Sequence, residues 1–272
     1  MIGIIGQGFV GNAIYQKFKN YFDVHTYDLD ESKSNSDRPT TLTQDIIFVC
    51  LPTPMDVDGS CNTDLVEETI SDIYSVGKAR TVVIKSTVSP GTTARLNSLY
   101  EDIDIIFNPE FLTEANAVDD FNNQTRIILG GPRPGTTKLR RIYTKVFPKA
   151  HIIKTDSTHA EMVKYLTNAF LATKVSFANE IYQICEKLKV DYDKVVEYAT
   201  LDDRLGKSHW QVPGPDHDYG FGGHCLPKDL NALLKLSWDL DTVNHVLDAV
   251  LETNSEVREN RDWEKMKGRA VI

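Results

Sequence analysis

The chain opens with Met1-Ile2-Gly3-Ile4-Ile5-Gly6-Gln7-Gly8-Phe9-Val10-Gly11, and this stretch decides the fold. Residues 1–5 form an apolar run that predicts a buried strand, and the amphipathic pattern of residues 9–18 predicts a helix. Between them, Gly6 permits a tight turn, Gly8 lets a pyrophosphate approach the backbone, and Gly11 allows close helix–strand packing. The unpaired N–H groups at the start of the helix then face the phosphates. A plain glycine turn is the alternative, but the flanking strand and helix favour a dinucleotide-binding turn.

The first half of the chain alternates apolar runs with helical patterns. Strands are predicted at residues 24–28, 45–51, 81–84, 103–107 and 126–129, and helices at 63–76, 91–100 and 135–146. Continuously apolar runs such as Ile46-Ile47-Phe48-Val49 are typical of strands covered on both faces. The alternation indicates an α/β fold with a Rossmann-like, mostly parallel sheet. Asp28 ends the second predicted strand, where a carboxylate bonds ribose hydroxyls and favours NAD over NADP.

The pattern changes near Thr155. Apolar residues then recur at helical spacing, at Met162, Leu166, Phe170, Phe177, Ile181, Cys185 and Leu188. This predicts a long central helix over 159–188, which forms the spine of a second domain or a dimer interface. Further helices are predicted from Pro227 and over 242–263. We therefore expect an NAD-binding domain at 1–155 and an all-helical substrate and dimerisation domain at 156–272.

Composition limits the functions that the chain can have. Its 272 residues are 41% hydrophobic and 25% charged, which is ordinary for a soluble globular protein. A formal charge of −9 argues against nucleic acid as a partner. The four cysteines are scattered, so they suggest neither disulfides nor a zinc site and fit a reducing cytoplasm. No apolar run reaches membrane-spanning length and no basic leader precedes the first strand, so we expect a cytoplasmic protein without a membrane partner or bound metal.

Three polar residues of the long helix share one face. Glu161, Lys164 and Asn168 are spaced by three and four residues, so their side chains lie one above another. Lys164 and Asn168 could both donate to one oxygen that gains negative charge during a reaction. On these residues alone, a polar stripe exposed to solvent is the more common interpretation.

A glycine-rich loop carries a cysteine into the next helix. In Gly220-Phe221-Gly222-Gly223-His224-Cys225-Leu226-Pro227-Lys228-Asp229, Pro227 fits the first helical position. Cys225 then lies just outside a helix N-terminus, where the helix dipole and a nearby lysine favour a thiolate. Asp229 falls in the first turn and would cap the helix or carry a proton. The alternative, an inert core cysteine, has equal weight at this point.

Several motifs occur together in the order that a known family has them. They are Cys50-Leu51-Pro52-Thr53-Pro54, Lys85-Ser86-Thr87-Val88, Asn108-Pro109-Glu110-Phe111-Leu112-Thr113-Glu114, Glu161-x-x-Lys164-x-x-x-Asn168, Asp203-Arg204-Leu205-Gly206 and Gly222-Gly223-His224-Cys225-Leu226-Pro227-Lys228-Asp229. With them the chain resembles the UDP-glucose/GDP-mannose dehydrogenase family over nearly its whole length, and its UDP-glucose 6-dehydrogenase members most.

The resemblance implies a twofold, NAD-dependent oxidation of a sugar nucleotide alcohol, UDP-glucose to UDP-glucuronate. Cys225 would attack the aldehyde to form a thiohemiacetal, and the second oxidation would give a thioester that water hydrolyses. Lys164 and Asn168 would stabilise the oxyanion. Asp229 and Thr87 would manage a water and its proton, and Glu110 would be the base for hydrolysis.

The resemblance also implies binding residues. Cofactor contacts are expected at Gly6, Gly8, Phe9, Val10, Gly11, Asp28, Lys33, Pro52, Thr53 and Thr87. Substrate contacts are expected at Phe111, Leu112, Glu114, Lys164, Asn168, Arg204, Phe221, Gly222 and Gly223. Arg204 would reach the substrate of a second copy across a homodimer interface. Glu114 resembles the glucose and GDP-mannose members more than the N-acetyl-mannosaminuronate ones.

Three features depart from the family pattern. The family's third, nucleotide-gripping domain would begin about where this chain ends, the stretch between Asp28 and Asp45 is short, and residues 215–218 are extra. A compact enzyme, a fragment and a protein completed by a partner all fit these departures. Two other functions remain open, a β-hydroxyacid dehydrogenase and a non-catalytic dinucleotide-binding subunit. Cys225 argues against the former, and the complete set of catalytic residues argues against the latter.

Overall fold

The computed structural model describes residues 1–272, which divide into two compact units. The sheet unit comprises Met1–Thr53 and Asn62–Lys164, and the helical unit comprises Pro54–Cys61 and Tyr165–Ile272. The short segment Pro54–Cys61 thus groups with the helical unit although both of its neighbours in sequence belong to the sheet unit. None of the helices is both long enough and apolar enough to cross a membrane.

One seven-stranded sheet organises the sheet unit. Its strands are β1 (Ile2–Ile5), β2 (Val24–Tyr27), β3 (Ile46–Val49), β4 (Thr81–Ile84), β5 (Asp104–Phe107), β6 (Arg126–Gly130) and β7 (His151–Thr155). The spatial order is β2-β1-β3-β4-β5-β6-β7. All neighbours pair in parallel except β5 and β6, which are antiparallel. This confirms the predicted Rossmann-like, mostly parallel sheet. The sequence did not predict β7, an edge strand whose residues are largely exposed and which lacks a buried apolar run.

Helices cover both faces of the sheet. They are α1 (Phe9–Phe18), α2 (Arg38–Leu42), α3 (Asp64–Val76), α4 (Thr92–Leu99), α5 (Ala117–Asn122) and α6 (Arg133–Val146). Ile46 and Phe48 pack on the face covered by α1, α5 and α6, whereas Ile47 and Val49 pack on the face covered by α3 and α4. Burial of both faces explains why these strands are continuously apolar. The sequence did not predict α2 and α5, which are too short to show a helical period.

The second half of the chain is helical, as predicted. Helix α7 (Ser157–Leu188) has 32 residues and begins within the sheet unit, and it is followed by α8 (Tyr192–Ala199), α9 (Leu226–Asp239) and α10 (His245–Val257). Ala169 and Ala172 of α7 pack with Leu230 of α9 and Val250 of α10. The predicted helix over 242–263 is wrong in extent, since the backbone becomes extended at Arg258.

A buried polar network lies where β4 and β5 end. Lys85 follows β4, and its Nζ donates to Asn108 Oδ1 at 3.1 Å and to the Pro109 carbonyl at 3.4 Å. The Tyr143 hydroxyl donates to the same Asn108 oxygen at 2.5 Å, and Asn108 Nδ2 donates to the Ile128 carbonyl at 2.8 Å. These bonds fix the turn that leaves β5 in one conformation.

Burial shifts both ionisable groups beside this turn. Desolvation lowers the pKa of Lys85 to about 8, although the charge on Glu110 acts in the opposite direction. Desolvation also raises the pKa of Cys50 to about 12. Cys50 is therefore a neutral thiol at physiological pH, and Lys85 loses its proton only slightly above that pH.

Replacing Lys85 by Met should change how stability depends on pH. The folded pKa of Lys85 is about 8 and its ordinary value is 10.5, so between these pH values the unfolded chain holds a proton that the folded chain lacks. The Lys85 contribution to the free energy of unfolding therefore rises across this window, by at most about 3 kcal/mol. Urea unfolding of wild type and Lys85→Met at pH 7.5 to 10 should show their difference growing in favour of wild type.

The exposed Lys78 provides the matched control, because Lys78→Met should follow wild type at every pH. A difference between wild type and Lys85→Met that stays flat from pH 7.5 to 10 would contradict the shifted pKa of Lys85.

Candidate functional site

The glycine-rich turn before α1 has the features that a dinucleotide needs. Gly6 has φ +89°, and a Cβ there would lie 2.4 Å from the Cys50 carbonyl oxygen. A Cβ on Gly11 would lie 1.9 Å from the Gly6 carbonyl oxygen. The fold itself therefore requires both glycines. A Cβ on Gly8, which caps α1, would meet no protein atom within 4 Å, so the backbone at the helix N-terminus borders open space that suits a pyrophosphate.

Asp28 lies beside this turn. Its Oδ2 accepts from the Gln7 N–H at 2.6 Å, and its Oδ1 accepts from the Asp30 N–H at 2.9 Å. A carboxylate held at the end of β2 can take ribose hydroxyls and repels a 2′-phosphate. The turn and Asp28 together fit the adenosine diphosphate part of NAD.

The other predicted cofactor residues lie at several places in the sheet unit. Phe9 and Val10 open α1 and are half-buried, and Pro52 and Thr53 follow β3, as Thr87 follows β4. Carboxyl ends of parallel strands form the edge where ligands bind in such sheets. Lys33 is exposed on a short helical turn, and its Nζ pairs with Asp30 at 3.2 Å.

Glu110 and Lys164 form a buried ion pair in the sheet unit. Lys164 Nζ donates to Glu110 Oε1 at 2.7 Å and to the Glu110 carbonyl at 2.8 Å, and the Leu112 N–H donates to Glu110 Oε2 at 2.7 Å. Both side chains are less than a tenth exposed. Burial acts to raise the pKa of Glu110, but the Lys164 charge and these bonds outweigh it and hold the pKa below its ordinary value. Glu110 is therefore a carboxylate at neutral pH.

The residues after Glu110 follow in the same loop. The Arg126 guanidinium lies 4.1 Å from the centre of the Phe111 ring, and Lys164 Nζ lies 5.9 Å from it. Leu112 is half-buried and Glu114 is exposed. Phe111 thus lies beside Lys164.

Glu161, Lys164 and Asn168 are all buried, so the interpretation as a solvent-exposed stripe is wrong. Glu161 accepts from the Gly91 N–H at 2.6 Å and from the Thr93 N–H at 2.9 Å, and so binds the N-terminus of α4. Burial raises the pKa of Glu161 against these two bonds. This residue holds the segment after Thr87 rather than facing water.

The first turn of α9 forms a second charged group, in the helical unit. Cys225 is the half-buried N-cap residue of α9, and Pro227 is the second helical residue rather than the first. Lys228 Nζ lies 2.5 Å from Asp229 Oδ1, and Asn168 Nδ2 donates to Asp229 Oδ2 at 2.6 Å. Asp229 thus joins Lys228 and Asn168 instead of capping its own helix.

Lys228 remains a cation in this group. Burial acts to lower its pKa, but the charge of Asp229, with further contributions from Cys61 and Cys225, raises the pKa above its ordinary value. The same attraction, with the N-terminus of α9, favours the thiolate form of Cys225.

Each predicted oxyanion donor is therefore bonded to a carboxylate with a predicted proton-transfer role. Lys164 bonds Glu110, and Asn168 bonds Asp229. Ammonium and amide N–H groups that can hold a carboxylate can equally donate to a substrate oxygen that becomes negative.

Phe221, Gly222 and Gly223 lead into Cys225, with Phe221 buried and the glycines half-buried. Arg204 is exposed, and its guanidinium pairs with Asp202 at 2.5 Å. No group of three or more His, Cys, Asp or Glu side chains is arranged to hold a metal ion.

Sequence reasoning gave no role to two sets of residues near the site. Lys85 stands in a quoted motif, and its place at the end of a buried strand was a signal that it is buried. Asn254, Arg258 and Asp262 contact the glycine-rich loop before Cys225. Their spacing of four was visible, but the partners lie 33 to 42 residues away, so no local pattern revealed them.

Two family models match the chain. The model described as UDP-glucose/GDP-mannose dehydrogenase family, NAD binding domain, matches residues 33–147, and the family's central domain matches residues 158–256. NAD is accordingly the cofactor of the first domain.

Individual proteins give the same result. The chain is 35% identical to the UDP-glucose 6-dehydrogenase TuaD of Bacillus subtilis over 79% of this chain and 47% of TuaD. It is 31% identical to a UDP-glucose 6-dehydrogenase of Campylobacter jejuni over 94% of this chain and 72% of that protein. A solved UDP-glucose dehydrogenase of Pyrobaculum islandicum matches with a TM-score of 0.85 at 29% identity, over 94% of this chain and 68% of that one.

The chain spans about half the length of the first curated relatives it matches, 47 to 49%. The two matched domains nevertheless follow each other in the family's order, and the Campylobacter jejuni relative is covered over most of its length. These matches confirm the resemblance found in the sequence, and the chain belongs to the UDP-glucose/GDP-mannose dehydrogenase family.

Proposed function

We propose that this protein oxidises the primary alcohol of a sugar nucleotide to the carboxylate, with UDP-glucose as substrate. The observation that carries the proposal is Cys225 at the N-cap of α9, in the same turn as the buried Lys228–Asp229 pair. A β-hydroxyacid dehydrogenase needs no such thiol. The names of the relatives and the position of Glu114 after residues 109–112 favour glucose as the sugar.

The glycine-rich turn would hold the cofactor, with Gly8 at the pyrophosphate and Asp28 at the ribose. When bound, NAD⁺ supplies the hydride acceptor for each of the two oxidations. Every other step belongs to residues of this chain. Residues 1–155 would bind the cofactor, and residues 156–272 would bind the substrate and form the dimer.

Cys225 carries the sugar between the two oxidations. Its thiolate attacks the aldehyde carbon, so that a C–S bond forms and the carbonyl oxygen becomes an alkoxide. The Lys164 ammonium and the Asn168 amide stabilise that oxygen. After the second oxidation the carbon is a thioester, and hydrolysis breaks the C–S bond and returns the thiol.

Two carboxylates manage the protons of this sequence. Glu110 is ionised at neutral pH and takes the proton of the hydrolytic water. Asp229 and Thr87 orient a water and pass its proton. The buried pairing of Asp229 with Lys228 keeps this carboxylate in one position.

Changing Cys225 to Ser should stop acid formation. Wild type should yield two NADH for each UDP-glucose. In Cys225→Ser the rate of acid formation should fall by on the order of a thousandfold or more, because the thiol nucleophile is removed. Cys225→Ser should still bind NAD⁺, since the turn at Gly6–Gly11 is unchanged. Absorbance counts NADH, and mass spectrometry counts the acid.

The control is Cys185→Ala, which replaces a buried cysteine of the helical unit that has no proposed catalytic role and should keep the wild-type rate. Acid formation by Cys225→Ser at the wild-type rate would remove the covalent mechanism. NAD⁺ binding by wild type without turnover of any sugar nucleotide would instead point to a non-catalytic subunit.

We also propose a homodimer built on α7. Five apolar residues of this helix are at least half exposed within one chain, at 65% for Leu166, 61% for Phe170, 51% for Phe177, 53% for Ile184 and 68% for Leu188. Their spacings of four and seven place them in one stripe. A second copy would cover this stripe, and Arg204, exposed on the helical unit, would act on the substrate of that copy.

A charge within the stripe should prevent dimerisation. Phe170→Asp should give the mass of one chain in light scattering where wild type gives two, and its turnover should fall because Arg204 acts across the interface. Val243→Asp is the control, since Val243 is 85% exposed but lies off α7. A wild-type protein that is both monomeric and active would disprove the dimer and the role of Arg204.

A further inference from the structure

The glycine-rich loop before Cys225 is held by side chains from the end of α10 and the segment after it. Asn254 Oδ1 accepts from the Phe221 N–H at 2.7 Å, and Asn254 Nδ2 donates to the Phe221 carbonyl at 3.0 Å. The Asp262 carboxylate accepts from the Gly223 N–H at 3.0 and 3.2 Å. The backbone of the loop thus obtains from side chains the partners that a neighbouring strand would otherwise supply.

Arg258 lies at the centre of these contacts, and its side chain is 1% exposed. Its Nη1 donates to the Tyr219 carbonyl at 3.3 Å, and its Nε donates to the Asn260 carbonyl at 2.8 Å. Its Nη2 donates to Asp262 Oδ1 at 3.2 Å. The guanidinium therefore joins the start of the loop to the carboxylate that binds the loop at Gly223.

The extra residues 215–218 supply further charges for Arg258. Asp216 Oδ2 lies 2.8 Å from Arg258 Nη2, and Asp218 Oδ2 lies 4.0 Å from Nη1. Burial acts to raise the pKa of Asp216, but the bond to Arg258 holds it below its ordinary value, so Asp216 is charged. A buried guanidinium needs such partners, because an unpaired charge in the interior is strongly destabilising.

Gly222 packs directly against this group. A Cβ at Gly222 would lie 2.2 Å from Arg258 Nη2 and 2.4 Å from Asp262 Oδ1, so the loop backbone lies against the ion pair with no space between. Cys225 follows three residues later as the N-cap of α9. The position of the loop therefore fixes where the chain enters the helix.

We propose that Arg258 is a positioning residue for Cys225, which it holds at the N-terminus of α9 through Gly222, Gly223 and the acidic residues 216, 218 and 262. For turnover this inference rests on the proposed function, since Cys225 is the proposed nucleophile. The reactivity of the thiol can be measured without turnover, and the two proposals can therefore fail separately.

The test measures the rate at which iodoacetamide labels each cysteine at pH 7 and at pH 10, with peptide mass spectrometry as the readout. Wild type is compared with Arg258→Met, Arg258→Lys and Asp216→Asn. Arg261→Met is the matched control, because Arg261 lies in the same segment, has a side chain that is 44% exposed and pairs with Glu264 at 3.5 Å. Cys185, buried in the same unit, reports unfolding through its own labelling.

Arg258→Met should label Cys225 about two- to fivefold more slowly at pH 7, because a thiol displaced from a helix N-terminus loses that share of its thiolate stabilisation. The difference should close at pH 10, where the thiol ionises in every variant. Arg258→Lys should recover part of the rate, since lysine keeps the charge but not the planar fork. Arg261→Met should match wild type.

Equal labelling of Cys225 in wild type and Arg258→Met would overturn the proposal. Fast labelling of Cys185 would show that Arg258→Met unfolds. In that case Asp216→Asn tests the proposal, because it removes only one charge, at a side chain that is 48% exposed. Asp216→Asn should slow Cys225 labelling at pH 7 with Cys185 still protected. Unchanged or faster labelling of Cys225 in Asp216→Asn would overturn the proposal. A wild type without turnover, but with these labelling differences intact, would refute the proposed function and leave the role of Arg258 standing.

Discussion

The pairing of buried carboxylates with nitrogen donors of α7 is the constraint on which the rest of the site depends. Lys164 bonds Glu110, and Asn168 bonds Asp229, at 2.7 and 2.6 Å. A carboxylate taken out of water without such a partner costs several kcal/mol or gives up its charge. Both side chains can lie in the interior because α7 presents a donor to each.

The same helix also fixes a loop of the sheet unit. Glu161 binds the N-terminus of α4 and so holds the segment that follows Thr87. In the helical unit, Lys228 adds a second partner to Asp229 and a positive charge near Cys225. Lys164 thus holds Glu110 as a carboxylate, and the first turn of α9 places the Lys228 charge near Cys225.

How far the sequence predicted the structure depended on the range of the interactions. Runs such as Ile46–Val49 revealed their strands because burial on both faces leaves only apolar residues there. β7 escaped prediction because an exposed edge strand carries no such run. Helix α10 was predicted too long because Arg258 leaves the helix to pair with Asp216, 42 residues earlier in the chain, which no local period can reveal.

The range of the interactions also limited how far the site could be predicted from the sequence. Motif residues such as Cys225 and Glu110 could be located from the sequence because the resemblance named them. The periodicity of Glu161, Lys164 and Asn168 gave their common face, but it could not tell whether protein or solvent covers that face. Burial of the face was decided by residues such as Asp229, which is 61 residues from Asn168 in sequence.

The central claim is that Cys225 carries the sugar as a thioester while Glu110 serves as the base for its hydrolysis. The most direct test is the intact mass of Glu110→Gln after mixing with UDP-glucose and NAD⁺. Glutamine keeps the shape of Glu110 but cannot take the proton, so the account predicts an adduct on Cys225 whose mass is that of the substrate less four hydrogens. Turnover to the acid at the wild-type rate with no adduct on Cys225 would contradict it.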